Sequence, residues 1–329
     1  MSDNVSDKDK AMAADPAILR VKRYSLADRK SKVALDKIGR PYDRGGLFGE
    51  FLLSLPDILG AADLRRAAAR IAGARENGHP VILGMGAHPI KVGLSPIIID
   101  LMERGVITAV ATNGASIVHD FELAFAGFTS EDVAAELCKG TFGMAEETGV
   151  MLNTAIVRGV DSGLGLGSAI GSFLSHDKAI KNKEISIFAR AYELGLPVTV
   201  HVAVGTDIIH MHPEADGRAI GEGSLRDFRL LATLLGGLEG GVFINLGSAV
   251  IIPEVFMKAL NLARNISGPG SKVEHFTTIN MDFISHYRAQ VNVLKRPAPD
   301  SNSAINLIGH HEIMFPLLAA AIKEQIKGR

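Results

Sequence analysis

The chain has no tryptophan, a single cysteine and only 5% aromatic residues in 329. It has no excess of either charge: 35 Lys and Arg stand against 36 Asp and Glu, a net charge of −1. That balance excludes a general nucleic-acid binder, which needs a basic surface. No apolar run reaches the ~20 residues that span a bilayer, so no membrane partner is expected. Cys138 cannot close an intrachain disulfide. It falls in the helical pattern SEDVAAELCKG, which suits a buried structural thiol. The opening MSDNVSDKDKAMAADP is polar and carries no signal-peptide core, and with the lone cysteine it points to the cytoplasm. No internal repeat of fixed period is visible. What is present is 47% apolar and 22% charged residues. Such a chain is globular and long enough to bury roughly three quarters of its unfolded surface.

Periodicity organises the rest. Residues 1–45 are charged and weakly periodic and read as a flexible arm. One α/β domain is expected over 46–329, with a helical insertion at about 128–195. Short apolar runs of the kind buried in parallel sheets occur at Val81–Leu83, Ile107–Ala111, Pro197–Ala203, Gly241–Leu246 and His275–Asn280. A further sheet edge is expected near Val291–Leu294. Helical patterns lie at 47–76, Leu225–Leu235, Glu254–Arg264 and from Glu312 to about Lys327. Strands alternating with helices predict a doubly wound, mostly parallel, Rossmann-like sheet flanked by helices.

Four features could carry chemistry. The first is the stretch Val81–Glu122, in which two strands run straight into small-residue turns, Gly84–Ala87 and Thr112–Ala115. Ligands of open α/β sheets bind beyond the carboxyl ends of the strands, where such turns expose backbone N–H groups. Neither turn has the G-x-G-x-x-G spacing, and GLGLGSAIG at Gly163–Gly171 follows no strand and reads as a flexible connection. The second is Asp207, His210 and His212 in the loop after the strand that holds His201. Imidazole and carboxylate suit a metal, and equally suit hydrogen bonds to a substrate or cofactor. The third is Lys295 at the end of an apolar run, where desolvation would free an amine for imine chemistry. The fourth is Gly309–Glu312 at the start of the last helix, whose backbone N–H groups, with His310 and His311 beside them, could hold an anion.

Taken in order, several of these pieces resemble the deoxyhypusine synthase family. The correspondence runs from about Val81 to Ile322, with 128–180 poorly matched. Thr112–Ala115 resembles the family's Thr-Ala-Gly-Gly turn, and Asp207 stands at the aspartate of its Gly-Asp loop. GGVFINLGSAV resembles the strand and glycine turn before the family's Asn-rich helix. HFTTINMDF resembles its Ile-Asn-Thr strand end, with Asn280 on the asparagine. HHEIMFPLLAAAI resembles its final helix with Phe-Pro-Leu-Leu.

The resemblance implies a Rossmann-like fold, bound NAD and a homotetramer with active sites between subunits. Family members oxidise spermidine with NAD, hold the aminobutyl group on a lysine and pass it to an amine. NAD contacts would fall on Thr112, Asn113, Gly114, Asp207, Gly247, Ser248 and Asn280. Lys295, 20 positions before Phe315, lies near the place of the lysine nucleophile, without the family's preceding Trp and Gly. Lys295, Asp207 and His286 form the expected catalytic set, with Arg288, His210, His212 and His310 as substrate contacts and no resident metal. The family's cation-holding carboxylates and tryptophan are replaced by His286, Tyr287 and Arg288, with Asp282 the remaining acid. Arginine suits an anionic or hydroxylated ligand better than a polyamine. The expectation is an NAD-dependent, transferase-like enzyme acting on a small molecule rather than on a translation-factor lysine. The alternatives are a polyamine aminobutyl transferase, a metal-dependent hydrolase or lyase built on Asp207, His210 and His212, and a noncatalytic nucleotide sensor.

Overall fold

The computed structural model describes residues 20–266, 273–297 and 303–326. They fall into two compact units that meet in sequence between Ile38 and Gly39. In the first, the described residues hold two short 3-10 turns, Leu26–Asp28 and Leu35–Lys37, neither with a buried side chain. The first 19 residues of the expected arm lie outside the described residues.

The second unit is built on six strands: β1 (Val81–Met85), β2 (Ala109–Asn113), β3 (Val198–His201), β4 (Val242–Leu246), β5 (Thr277–Asp282) and β6 (Ala304–Ile308). Every pair is parallel and the order is β3-β2-β1-β4-β5-β6. This is the strand order of a dinucleotide-binding α/β sheet, and it reverses between β1 and β4. The helices that matter below are α1 (Leu59–Glu76), α2 (Ser95–Glu103), α3 (Gly114–Ala126), α4 (Glu146–Asp161), α5 (Leu166–His176), α6 (Ile187–Glu193), α7 (Gly217–Gly236), α8 (Ile251–Ile266) and α9 (His311–Lys323).

Alternation along each strand feeds two cores, because successive side chains leave a strand on opposite faces. Leu83, Met85, Ile244 and Leu246 join residues of α1–α6 and α9 on one face. Ile82, Ala111 and Phe243 join the later part of α7 and α8 on the other, where Phe243 stacks on Phe256 with centroids 3.8 Å apart. Both faces are therefore covered, which is why the strands read as continuous apolar runs. Among the described residues no helix is long and apolar enough to cross a membrane.

Three expectations change. Val291–Leu294 is not a sheet edge: Gln290–Lys295 winds as a π-helix that buries Val293 and Leu294 against the α8 face, and the sixth strand is Ala304–Ile308. Four apolar-leaning residues satisfy either period, so the neighbours decide. Cys138 is exposed, on the surface of a helical turn too short to bury it. Gly163–Gly167 is a tight joint between α4 and α5 rather than a flexible connection. A Cβ on Gly167 would stand 1.9 Å from the Val198 carbonyl oxygen, so the start of α5 lies directly against β3.

That joint is fastened by a buried carboxylate. Asp227 of α7 accepts N–H bonds from Gly167 (2.9 Å) and Val200 (2.8 Å), tying helix to strand. Asp120 of α3 does the same for α6, accepting from the Ser186 hydroxyl (2.5 Å) and the Ile187 N–H (2.9 Å). Each satisfies donors at a helix N-terminus that the helix itself cannot.

Candidate active site

All six strands end on one edge, and the chain delivers polar side chains there. β1 leaves through Gly86 and Ala87 to His88, the first residue of the short helix His88–Lys91. β5 ends on Asp282. β6 leaves through Gly309 and His310 to His311, the first residue of α9. β4 leaves through Gly247, and the turns are stitched by Gly86 N–H to the Leu246 carbonyl (3.1 Å) and Gly247 N–H to the Met281 carbonyl (3.0 Å). Gly247 has φ +66°, and a Cβ there would stand 2.6 Å from the His311 ring. Glycine is thus needed twice, for the left-handed backbone and for the space.

The result is a chain of side chains across β1, β4 and β5. His88 Nδ1 and His311 Nδ1 are 2.8 Å apart. His311 Nε2 lies 3.5 Å from Asp282 Oδ1, and His286 Nε2 lies 3.7 Å from Asp282 Oδ2. His311 is 1% exposed and Asp282 2%, while His88 is half-buried. The Phe283 ring covers the pair, with centroids 6.0 Å from His88 and 5.9 Å from His311. Burial lowers the His311 pKa; Asp282 opposes that shift, His88 adds to it, and the Met281 carbonyl opposes it again.

The Nδ1–Nδ1 contact limits the tautomers of the pair. One of the two facing Nδ1 atoms must donate and the other accept. His311 Nε2 makes no hydrogen bond, but its nearest charged neighbour is the Asp282 carboxylate, which favours a proton there on electrostatic grounds; Nδ1 then accepts from His88. That leaves the lone pair of His88 on Nε2, the arrangement of a general base backed by a second imidazole and a carboxylate.

A second group lies at the ends of β2 and β3. Asp207 is buried beside Gly114, whose added Cβ would stand 2.1 Å from Asp207 Oδ2. Burial pushes the Asp207 carboxyl up to about 6, with the Ala115 N–H pulling the other way. Oδ2 has no hydrogen-bond partner. His210 accepts at Nδ1 from the N–H groups of Gly205 (3.1 Å) and Asp207 (3.3 Å), with Nε2 3.9 Å from Asp207 Oδ2. His212 turns away, its Nε2 2.8 Å from the Gly143 carbonyl oxygen. Among the described residues no group of three or more His, Cys, Asp and Glu is placed to hold a metal ion.

The residues expected to touch NAD share this edge, but most of their side chains are engaged. Thr112 donates to the Met85 carbonyl (3.0 Å), and Asn113 caps α3 through the Ser116 N–H (3.3 Å). Ser248 accepts from the Ile252 N–H (3.1 Å), capping α8. Asn280 sits in an amide ladder across three strands, accepting from Asn245 (2.8 Å) and donating to Asn306 (2.9 Å). Gly114 and Gly247 offer backbone only, and Asp207 keeps one oxygen free of partners.

The expected catalytic and substrate residues scatter. His286 reaches the site through Asp282. Arg288 Nε pairs with Glu254 (3.3 Å), and His310 is exposed beside Glu312 (3.7 Å). Lys295 is exposed. It stands two residues before Pro297, whose carbonyl accepts from Arg264 in the last turn of α8 (3.1 Å). That turn lies below the start of β5, at the amino-terminal side of the sheet. The neighbours of Lys295, Asn292 and Arg296, reach Glu254 (3.0 Å) and Met257 (3.6 Å) in the first two turns of α8. Lys295→Ala is expected to leave ligand affinity within about twofold, as for an exposed surface substitution; calorimetry with the wild-type ligand checks this, and a tenfold loss would return the lysine to the site. No sequence pattern singles out His88. Its position directly after the first strand and glycine turn is the signal that could have found it.

No protein-family model matches the chain, and no curated protein matches it in sequence. The fold has solved counterparts. AgrE, in a ternary complex with ornithine and NAD+, superposes with TM-score 0.50 at 14% identity, over 79% of this chain and 32% of AgrE. This chain thus spans about a third of AgrE's length. A conserved protein of proposed LOR/SDH type from Methanococcus maripaludis S2 gives TM-score 0.50 at 16% identity, over 82% and 71% of the two chains. A proposed deoxyhypusine synthase from Entamoeba histolytica gives TM-score 0.50 at 14% identity, over 86% of this chain and 95% of that one. At these identities the likeness shows the fold, a mostly parallel α/β sheet of Rossmann type.

Proposed function

We propose that the chain is an NAD-binding enzyme of deoxyhypusine synthase-like architecture that acts on a small molecule by acid–base chemistry. The observation that carries this is the His88–His311–Asp282 chain at the point where the strand order reverses. The residues present fit a dinucleotide there. The strand order reverses between β1 and β4, so a dinucleotide would lie against the turns Gly86–Ala87 and Gly247–Ser248. NAD, when bound, supplies a hydride acceptor. His88 takes a proton from a substrate hydroxyl or amine at Nε2. His311 and Asp282 stabilise the imidazolium that forms, and Phe283 keeps water from the pair. An imine on Lys295, as an aminobutyl transferase needs, receives no support from its exposed place.

The homotetramer belongs to the same proposal. Phe283, Ile284, Tyr287, Ile308 and Ile313 are exposed apolar side chains on and after the strands that form the site. A neighbouring subunit would cover them. Sedimentation should show the tetramer, and a monomer at micromolar concentration would remove it.

Calorimetry and assay of nucleotide released on denaturation test the cofactor. Wild type should bind or retain NAD+ or NADH. Gly247→Ala should weaken binding by at least about tenfold, since its Cβ meets the His311 ring in a left-handed backbone. Wild-type protein that carries no nucleotide and binds neither form at millimolar concentration would end the reading.

A further inference from the structure

A cavity of about 550 Å³ opens beside α3, away from the histidine chain. It is lined by one side of α3, the loop after it, the segment before α4, and Thr206–Ile208. His88, Asp282 and His311 do not line it. Its size is that of a small-molecule site. We propose that this cavity binds an organic monoamine with an aromatic or branched apolar body. The proposal goes beyond the NAD reading and does not rest on it.

The body of the ligand follows from the walls. Phe125, backed by the buried Phe121 ring at 5.3 Å between centroids, lines one wall, and Ile208 and Phe142 add apolar surface. Phe128 also lines the cavity and is 74% exposed, an aromatic face at its mouth for which the described fold provides no cover. A cation beside such rings is favoured by their quadrupoles.

The charge of the ligand follows from the polar groups. His119 Nδ1 lies 2.7 Å from the Thr129 hydroxyl oxygen, which donates its only proton to Glu122 Oε2 (2.5 Å). Thr129 must therefore accept from His119, so the proton is on Nδ1 and the lone pair on Nε2. The Thr148 hydroxyl donates to the other oxygen of Glu122 (3.1 Å). Burial holds His119 neutral, with a pKa lowered to about 4, Lys91 adding to the effect. The network thus offers acceptors, an imidazole nitrogen and a carboxylate, to a ligand that must bring the donors. Glu122, Glu131, Glu147 and Asp207 all line the cavity, against the single ammonium of Lys91. An ammonium is favoured there and a carboxylate is repelled.

The test is calorimetry on the full chain with 4-phenylbutylamine, 4-phenylbutanol and 4-phenylbutyrate. The amine should bind, the alcohol at least about tenfold more weakly, and the carboxylate not detectably. Glu122→Gln should weaken the amine by about tenfold and leave the alcohol unchanged. Lys91→Glu, at an exposed position, should tighten the amine several-fold, and keeps the test decisive if Glu122→Gln does not fold. Carboxylate binding as tight as amine binding, amine affinity unmoved in Lys91→Glu, or no amine binding at millimolar concentration would overturn the proposal. So would competition between AMP and the amine, which would give the cavity to the adenosine half of a nucleotide. Failure of NAD to bind leaves these outcomes unaffected, so the two readings fall separately.

Discussion

Asp227→Ala is expected to destabilise the protein by roughly 3–5 kcal/mol, because several buried backbone donors lose their acceptor together. Those donors are the N–H groups of Gly167 and Val200, with Leu166 adding a third. They lie where α5 meets β3, a joint so close that Gly165 and Gly167 leave no room for a Cβ. Water has no way in to replace the carboxylate. Urea unfolding followed by circular dichroism measures the loss, and a change below about 1 kcal/mol, the range of an ordinary exposed hydrogen bond, would show that the joint is not fastened this way.

The same residue has a pH signature. Burial pushes the Asp227 carboxyl up to about 7, its backbone donors pulling the other way. Between the unfolded value near 3.8 and about 7 the folded protein holds the proton more tightly than the unfolded chain. Its contribution therefore falls as pH rises through that window. His119 and His201, lowered to about 4 by burial, act in the opposite sense, since the folded state sheds their protons first. The slope of the whole protein mixes both signs, but a comparison separates them. Asp227→Asn should be more destabilising at pH 4 than at pH 7, the gap from wild type closing as pH rises. A gap that widens would contradict the assignment.

The second large effect is expected at His311. With any substrate that supports NAD reduction, His311→Gln should lower kcat by about 10²–10⁴-fold, the usual range for loss of acid–base assistance. Nucleotide affinity should survive, because the backbone of the Gly247 turn is untouched. Asp282→Asn gives a distinguishing readout. The Asp282 charge raises the His311 pKa against the burial that lowers it. Removing that charge should carry the imidazole titration further to the acid side, visible in the histidine Hε1 resonances and in the acid limb of the rate profile. A limb that moves to higher pH, or stays in place, would detach Asp282 from the pair. Equal losses of kcat and nucleotide affinity in His311→Gln would make the residue a packing element instead.

The sequence by itself determined the class of fold and the edge that matters. Val81–Leu83, Gly241–Leu246 and His275–Asn280 are short stretches joined by helical patterns, and local pattern is enough to read them as strands; they fall on the observed β1, β4 and β5. The glycine turns after the first strands marked the carboxyl edge for the same local reason. What the sequence did not contain was the order of the strands. His88 and His311 are 223 positions apart and meet because β4 lies beside β1 and α9 folds back over Gly247. Asp282 meets His286 within its own loop, four residues on, but meets His311 only when β6 is placed beside β5. Lys295 is a candidate by its place at the end of an apolar run; the π-helix formed by that run leaves the lysine exposed, which no local pattern announces. Periodicity is written in neighbouring residues, whereas a site assembled from four strand ends is written in packing between segments that no local pattern connects.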